Sequence, residues 1–145
     1  DISKDITRFI KATDKHIENG YLLFLDGSKS SFDLIRHSKI IIGFQTTGMV
    51  EAMETSKQII YTAWGDFYEE IEKTLLPLAN EKCLDYCSSQ DMFFNILEDG
   101  IIRELKKTKY NGHNKQERKK FIDRYFSFSN GEVSKRLANL IYKKI

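Results

Sequence analysis

Two adjacent hydroxyl side chains and a carboxylate about one helical turn later are the groups in this sequence that could do chemistry. Thr46 and Thr47 follow the apolar run Lys39–Phe44, and Glu51 comes within the helix that these threonines open. The first amide groups of a helix lack partners inside the helix and carry partial positive charge, so they bind anions such as phosphate. A nearby carboxylate can accept hydrogen bonds from sugar hydroxyl groups. The pattern therefore predicts a site for the diphosphate and ribose of a nucleotide-activated sugar.

Each of these residues also has a simpler structural explanation. One threonine is enough for an N-cap, whereas two hydroxyls followed by Gly48 exceed that need, which favours a diphosphate contact in the turn that begins at Gln45. Glu51 accepts from ribose or, if Gly48 is the cap, closes a capping box. Gly43 either lets the backbone approach a ligand or is required by the turn alone.

Trp64 follows the next apolar segment and adds an aromatic ring to the same region. If the strands are parallel, this ring lies at the same edge of the sheet as the threonine pair, where it could stack on a base or a sugar. Packing in the core is the favoured alternative. Asp66 is expected to cap the helix that follows.

Four short apolar segments that alternate with helical patterns set the predicted architecture. We expect strands at Tyr21–Leu25, Lys39–Phe44, Lys57–Ala63 and Cys83–Cys87. Continuous rather than alternating apolar residues indicate parallel strands that are covered on both faces. The prediction is an α/β fold, a Rossmann-like parallel sheet of about four strands flanked by helices. Such sheets bind ligands beyond the carboxyl ends of their strands.

The chain is expected to contain two parts. Residues 1–105 form the Rossmann-like nucleotide-sugar-binding domain, which we expect to be incomplete at its N-terminus because the sequence opens directly on a helical pattern without an initiator methionine. Residues 106–145 form a C-terminal helical extension, with helices at about 115–125 and 132–144. Apolar residues on one face of these helices predict that they pack back on the domain or on another lobe.

Composition restricts the protein to ordinary globular classes. The 145 residues are 41% hydrophobic and carry a net charge of only +2, so there is no global polyelectrolyte character. No apolar run approaches the ~18 residues of a membrane span. Cys83 and Cys87 lack a nearby histidine pair, which predicts reduced core thiols in a cytoplasmic protein. No clustered carboxylates or triad spacing suggest a metal, a resident cofactor or a catalytic residue.

One segment has concentrated positive charge. Binding to nucleic acid is disfavoured because Glu104, Glu117 and Asp123 interrupt the basic residues and few aromatic residues lie between them. An anionic membrane surface is a second interpretation, and a solvated helix face is the favoured one. The basic residues are Arg103, Lys106, Lys107, Lys109, Lys115, Arg118, Lys119 and Lys120.

The stretch Ser31–Met53 resembles the donor-binding, C-terminal lobe of two-lobed (GT-B-type) glycosyltransferases, in particular the bacterial group that makes capsules and surface polysaccharides. The shared pattern is a helix, a small residue, a strand that ends in glycine, a hydroxyl pair, and a helix that bears Glu-Ala. A strand such as Lys57–Tyr61 follows in that group, although the usual Gly-Lys-Pro turn is replaced here by Thr55–Gln58. The segment Phe126–Ala138 is also similar to the close of that group.

The resemblance implies a glycosyltransferase that takes a nucleotide-activated sugar as its donor, without a metal or another cofactor. It places the acceptor site and the catalytic base on an absent N-terminal lobe, and it implies a cytoplasmic location, peripheral to the inner face of the membrane. The alternatives are a nucleotide-sugar epimerase of the same fold and a non-catalytic nucleotide- or phosphate-binding regulatory module. The predicted substrate-binding residues are Gly43, Gln45, Thr46, Thr47, Gly48, Glu51 and Trp64.

Overall fold

The fold is taken from a computed structural model, which describes most but not all of the chain. The described residues are 2–20, 29–65, 68, 78, 82–110 and 115–126, with the single positions 132, 135, 139 and 142. They belong to two compact units, Asp1–Ser30 and Ser31–Ile145. The sheet and the helix at Lys115–Phe126 therefore lie in the same unit.

The first unit contains helix α1, Ile2–Glu18. The amide of Asn19 still donates to the carbonyl of Lys15 at 3.1 Å, and Gly20 then adopts a φ of 72°. This left-handed conformation favours glycine and ends the helix. The helical pattern that opens the sequence is thus confirmed.

The second unit is an α/β arrangement around three parallel strands in the order β1-β2-β3. Apolar, β-branched residues supply the two longer strands, as their propensity favours. The elements in chain order are α2 (Ser31–His37), β1 (Ile40–Gly43), α3 (Thr47–Ala52), β2 (Gln58–Thr62), β3 (Asp85–Cys87), α4 (Gln90–Leu105) and α5 (Lys115–Phe126).

The predicted strands compare with this sheet in different ways. The second and third predicted strands are confirmed as β1 and β2, and the fourth is shorter than predicted because Cys83 and Leu84 precede β3 in a turn. The predicted strand Tyr21–Leu25 lies outside the described residues, as does most of the helix expected from Asp66. The described sheet therefore has three strands, where four were predicted.

The central strand β2 is covered on both faces. Ile59 and Tyr61 belong to the main hydrophobic core with Met49 of α3 and Phe121 of α5. Side chains alternate along a strand, so Gln58 points to the opposite face, which α4 covers. The expectation that strands are covered on both faces is correct for β2. It is wrong for β1, where Ile42 is 46% exposed because α4 packs mainly against β2 and β3.

Helix α4 begins at an N-cap and runs through a glycine. The Ser89 hydroxyl accepts a hydrogen bond from the amide of Met92 at 3.2 Å, as expected for a cap. The apolar pattern of the sequence fits either one helix through Gly100 or a restart there, and the structure shows one helix that continues to Leu105. A Cβ at Gly100 would lie 2.5 Å from Oε1 of Gln58 and 2.9 Å from Cδ1 of Ile40. The glycine lets α4 approach the sheet closely.

Helix α5 completes the core of this unit. Phe121 and Ile122 are buried in the same cluster as Ile59 and Met49. Of the helix predicted at 132–144, only four positions are described. No helix in the described part of the chain combines the length and apolar character that crossing a membrane requires.

Candidate functional site

The carboxyl ends of the three strands lie at one edge of the sheet, which we call the carboxyl edge. Gly43 pairs with Tyr61, and Thr62 pairs with Cys87, so the segments that follow the strands leave from the same side. The amide of Ala63 donates to the carbonyl of Cys87 at 2.7 Å and extends the pairing. Parallel α/β sheets bind ligands at this edge, so the predicted site residues are expected here.

The turn after β1 has a specific backbone conformation. Gln45 has a φ of 44°, and its Nε2 donates to the hydroxyl of Tyr61 at 2.8 Å. Thr46 is the N-cap of α3, because its hydroxyl accepts from the amide of Gly48 at 3.3 Å. The amide of Met49 donates to the carbonyl of Thr46 at 3.1 Å. The amides of Gly48 and Met49 belong to the first turn, whose amides were predicted to bind an anion, and both already have internal partners.

The second threonine differs from the first. Thr47 is the first residue of α3. Its side chain is exposed, and its hydroxyl makes no hydrogen bond to another residue that the structure describes. The structure therefore divides the pair of hydroxyls: one caps the helix and the other is available to solvent or a ligand.

Glu51 has a partner that sequence reasoning missed. The hydroxyl of Ser31, at the start of α2, donates to Oε2 of Glu51 at 2.9 Å, and both side chains are exposed. A capping box requires the acidic residue three positions after the cap. With Thr46 as the cap, Glu51 lies five positions later, so a capping box does not explain it. The carboxylate instead joins α3 to α2, and Oε1 makes no hydrogen bond to the described residues.

Gly43 is required by packing. A Cβ on this residue would lie 3.2 Å from Cγ and Sδ of Met49 and 3.2 Å from Cγ2 of Thr46. These contacts are tighter than ordinary side-chain packing, and Met49 is fully buried. The small residue therefore lets α3 pack against the end of β1.

Trp64 lies just beyond β2 and is 37% exposed. Its ring centroid is 5.4 Å from that of Phe93 in α4, and Phe93 in turn contacts Phe94 edge-on at 5.3 Å. The favoured expectation that Trp64 packs in the core is wrong, because a neighbour covers only part of the indole. The residue adds a partly exposed aromatic surface to the carboxyl edge.

Beneath these groups, aromatic rings lie side by side near the ends of the strands, which sequence reasoning missed. Tyr61 is fully buried and stacks between Phe44, at 5.5 Å, and Tyr86, at 5.8 Å. The hydroxyls of Tyr68 and Tyr86 are 2.9 Å apart. Tyr61 and Tyr86 are register partners in β2 and β3, and Phe44 follows the last residue of β1, so the aromatic residues near the strand ends could have indicated this arrangement. It supports the turn after β1 through the bond from Gln45.

Cys87 ends β3 at the same edge. Burial and, secondarily, the charge of Asp85 raise the pKa of its thiol. With this raised pKa the thiol stays protonated at neutral pH. The nucleophilic form of cysteine is the thiolate, so the structure does not activate Cys87 as a nucleophile. Cys83 and Cys87 are both buried, as the sequence predicted, and neither forms a disulfide with a described residue. Within the described ranges, no three His, Cys, Asp or Glu side chains are grouped as a metal site would require.

Comparisons with protein-family models, curated proteins and solved structures found no match for this chain. The functional interpretation therefore depends on the chemistry of its own residues.

The amino ends of the strands lie at the other end of the sheet, which we call the amino edge. This end contains a polar network that the sequence did not indicate. Nε2 of Gln58 donates to Asp85 at 2.7 Å, and its Oε1 accepts from Arg103 at 2.7 Å. The hydroxyl of Tyr110 donates to the same Asp85 oxygen at 3.1 Å, and the guanidinium of Arg103 lies 4.9 Å above the Tyr110 ring. Burial, with Asp85, raises the pKa of Tyr110.

Arg118 is the most buried cation described at this edge. Its side chain was expected on a solvated helix face, yet the residue is only 3% exposed. Its Nε donates to the carbonyl of Cys83 at 3.1 Å, and its terminal nitrogens donate to the carbonyls of Thr55 and Lys57. Burial lowers its pKa, but a guanidinium stays charged. Arg118 thus binds α5 to the segments that lead into β2 and β3.

Proposed function

We propose that this chain is the nucleotide-sugar (donor) binding part of a glycosyltransferase that makes a surface polysaccharide or a glycolipid. The observation that carries the proposal is the grouping at the carboxyl edge. The segments after two adjacent parallel strands present an exposed hydroxyl, Thr47, an exposed carboxylate, Glu51, and a partly exposed indole, Trp64. These are the groups that a diphosphate, a ribose and a planar base require.

Each residue has a separate role in this proposal. Thr47 donates its hydroxyl to the diphosphate at the partially positive start of α3. Glu51 accepts hydrogen bonds from the ribose hydroxyls. A carboxylate has about four lone-pair sites and Ser31 uses one of them, so the others are left for the ribose. Trp64 stacks on the base or the sugar. Gln45 holds the turn in place by its hydrogen bond to Tyr61, and the absence of a side chain at Gly43 leaves room for Met49 of α3.

The physical contribution of this part is electrostatic. Positive partial charge and hydrogen-bond donors hold the donor diphosphate and stabilise the charge that develops as it leaves. No catalytic residue is assigned here. In the two-lobed enzymes that the sequence resembles, the acceptor and the catalytic base belong to the other lobe, so we propose an N-terminal lobe as a partner. A Rossmann-like fold and a cytoplasmic location belong to the same proposal.

The first measurement is a thermal-shift panel of nucleoside diphosphates, followed by calorimetric titration of the best one. Without the second lobe, the expected dissociation constant is on the order of 0.1–1 mM, since half of the cleft is missing. Binding without sugar transfer is expected for the isolated chain. If no nucleoside diphosphate binds at tenfold higher concentrations, the proposal is wrong.

The decisive measurement is a cycle of one substitution and one ligand change. Glu51→Ala should weaken nucleoside diphosphate binding by about 1.5–3 kcal/mol, the range for hydrogen bonds to a charged group. The 2′-deoxy nucleotide should lose part of the same affinity with the unmodified protein and almost none with the variant, because its partner is already absent. Additive losses would show that Glu51 does not contact the ribose.

Ser31→Ala is the matched control. It removes the same hydrogen bond between α2 and α3 but keeps the carboxylate. Both substitutions should lower the free energy of unfolding by the same small amount, at most about 1 kcal/mol. Only Glu51→Ala should weaken nucleotide binding strongly. Equal losses of affinity in the two variants would assign Glu51 a structural role and contradict the proposed contact.

A further inference from the structure

The amino edge contains a cavity that the proposed nucleotide site does not use. Its volume is ≈ 740 Å³. The wall is formed by the segment that leads into β2, by Lys109 and Tyr110, and by the first turns of α5. The strands run from this edge towards the carboxyl edge, so the cavity lies at the opposite end of the sheet from Thr47 and Trp64.

The lining of this cavity is unequal in charge. Four cations, Lys109, Lys115, Arg118 and Lys119, face one carboxylate, Glu54. Lys119 is partly neutralised by Asp123 at 2.7 Å. Lys109 and Lys115 make no ion pair or hydrogen bond with any residue in the described ranges.

Helix α5 adds to the positive potential. Its 12 residues begin at Lys115, and Lys115 and Gln116 in its first turn line the cavity. The partial positive charge of a helix N-terminus favours anions there. Met53 and Ile122 supply an apolar part of the wall, which reduces the screening of these charges by water.

Arg118, which is buried, is one of the residues that line this cavity. A guanidinium has five N–H donors. The described hydrogen bonds of Arg118 to carbonyl groups use three of them, so two remain without a partner among the described residues. Those carbonyls hold the side chain in place. The planar fork of arginine suits phosphate oxygens better than a flexible ammonium does.

A second cavity continues the basic surface. It has a volume of ≈ 470 Å³ and shares Ser56, Lys109 and Tyr110 with the first. Its basic lining residues are Arg36, Lys39, Lys57, Arg103 and Lys109, against the single carboxylate Glu104. In the second cavity Lys39 lies 3.9 Å from Glu104, and Arg103 and Lys57 donate to described residues. The two adjacent basic cavities suit a ligand that carries more than one phosphate.

We propose that the cavity lined by Lys109, Lys115 and Arg118 binds the phosphoryl groups of a diphosphate-bearing or larger phosphorylated ligand. The proposal is independent of the nucleotide site at the carboxyl edge. Free polyphosphates and anionic phospholipid headgroups share this chemistry, and two different probes separate these sources.

The first probe is inorganic diphosphate, titrated into the protein at low ionic strength. The shifts of the backbone amide signals in NMR spectra report its binding. The double variant Lys109→Glu/Lys115→Glu reverses the two cations without described partners. The matched control Lys106→Glu/Lys107→Glu makes the same charge change at exposed neighbours that line neither cavity. Shifts should appear at residues 54–56 and 115–119. Affinity should fall at least ~10-fold in the cavity variant and less than ~3-fold in the control, as loss of charge-assisted bonds predicts.

The second probe is vesicle co-sedimentation with a phosphatidylinositol bisphosphate, a lipid that carries several phosphates, in phosphatidylcholine. Vesicles of phosphatidylcholine alone are the control. Binding of diphosphate that is lost only in the cavity variant supports the site and a soluble ligand. Binding to acidic vesicles alone, lost only in the cavity variant, supports the site and a lipid headgroup.

Three results overturn the proposal. One is the absence of any response to either probe. Another is an equal loss in both double variants, which would indicate general attraction between charges. The third is a set of shifts confined to residues 45–48, which would place diphosphate at the carboxyl edge and leave the proposed nucleotide site intact.

Discussion

The two edges of the sheet present their polar groups in opposite ways. At the carboxyl edge, Thr47 and Glu51 are exposed, and Trp64 is partly exposed. At the amino edge, Arg118 is almost fully buried, and its nitrogens donate to carbonyl groups from two separate segments. The first edge offers groups to a ligand. The second uses Arg118 mainly to join segments of the fold, and the surrounding lysines and the two remaining N–H donors of Arg118 are left for a ligand.

This difference has an energetic consequence. An exposed polar group has already satisfied its hydrogen bonds with water, so its removal costs little folding energy. A buried charge has lost its water, and its removal leaves other buried groups without partners. Substitutions at the carboxyl edge should therefore affect ligand binding more than stability, and those in the buried network should affect stability first.

The largest expected effect is that of Arg118→Ala. The carbonyls of Cys83, Thr55 and Lys57 would lose their donor, and the volume of the side chain would be left empty. We expect the free energy of unfolding to fall by about 3–5 kcal/mol, measured by urea denaturation.

Lys119→Ala is the control on the next position of α5. Lys119 is exposed, and its ion pair with Asp123 at 2.7 Å is a surface pair, so its loss should cost less than about 1 kcal/mol. Similar losses in the two variants would show that Arg118 is not the group that holds α5.

A smaller effect than that of Arg118→Ala is expected for Gly100→Ala, and Gly48→Ala is its control. At Gly100 a methyl group would meet Gln58 and Ile40, so overpacking should cost about 1–3 kcal/mol in spite of the better helix propensity of alanine. At Gly48 the nearest atom would be Oγ1 of Thr46 at 3.7 Å, an ordinary contact.

Gly48→Ala should therefore be neutral or stabilise by up to about 1 kcal/mol. Thermal unfolding of both variants tests the comparison. A neutral Gly100→Ala would mean that α4 can move away from β2 without cost.

The smallest effect concerns pH. Burial, then the charge of Asp85 and its hydrogen bond, raise the pKa of Tyr110 in the folded state. A raised pKa means that the folded form retains the proton more tightly. The contribution of Tyr110 to the free energy of unfolding is therefore complete below the pKa of tyrosine in the unfolded chain, about 10. It is lost as the pH rises above that value, by at most about 1.4 kcal/mol per pH unit.

The comparison is with Tyr110→Phe, which keeps the ring and cannot ionise. The difference in unfolding free energy between the two proteins should stay constant from about pH 7 to about pH 9 and decrease by roughly 1 kcal/mol by about pH 11. A difference that stays constant throughout would contradict the buried hydrogen bond to Asp85.

Local patterns in the sequence determined the elements. The β-branched runs specified β1 and β2, because strand propensity depends on residues a few positions apart. The serine pair Ser88 and Ser89 indicated a helix start, and the structure assigns the cap to Ser89. The pattern around Thr46 specified a turn into a helix. Which threonine caps this helix was not determined, because both hydroxyls could serve. The structure assigns the cap to Thr46, which has an extended backbone and accepts from the amide of Gly48.

Only the tertiary structure decided the roles of Glu51, Gly100 and Arg118. The partner of Glu51 is Ser31, 20 positions earlier, and Arg118 donates to the carbonyl of Thr55, 63 positions earlier. A basic residue between charged neighbours in α5 has the sequence signature of a solvated face, and nothing local distinguishes it from Lys119. Its burial follows from the packing of α5 against the sheet, which brings the carbonyls that lead into β2 and β3 to one point. Such contacts depend on how the elements assemble, whereas the elements themselves depend on neighbours along the chain.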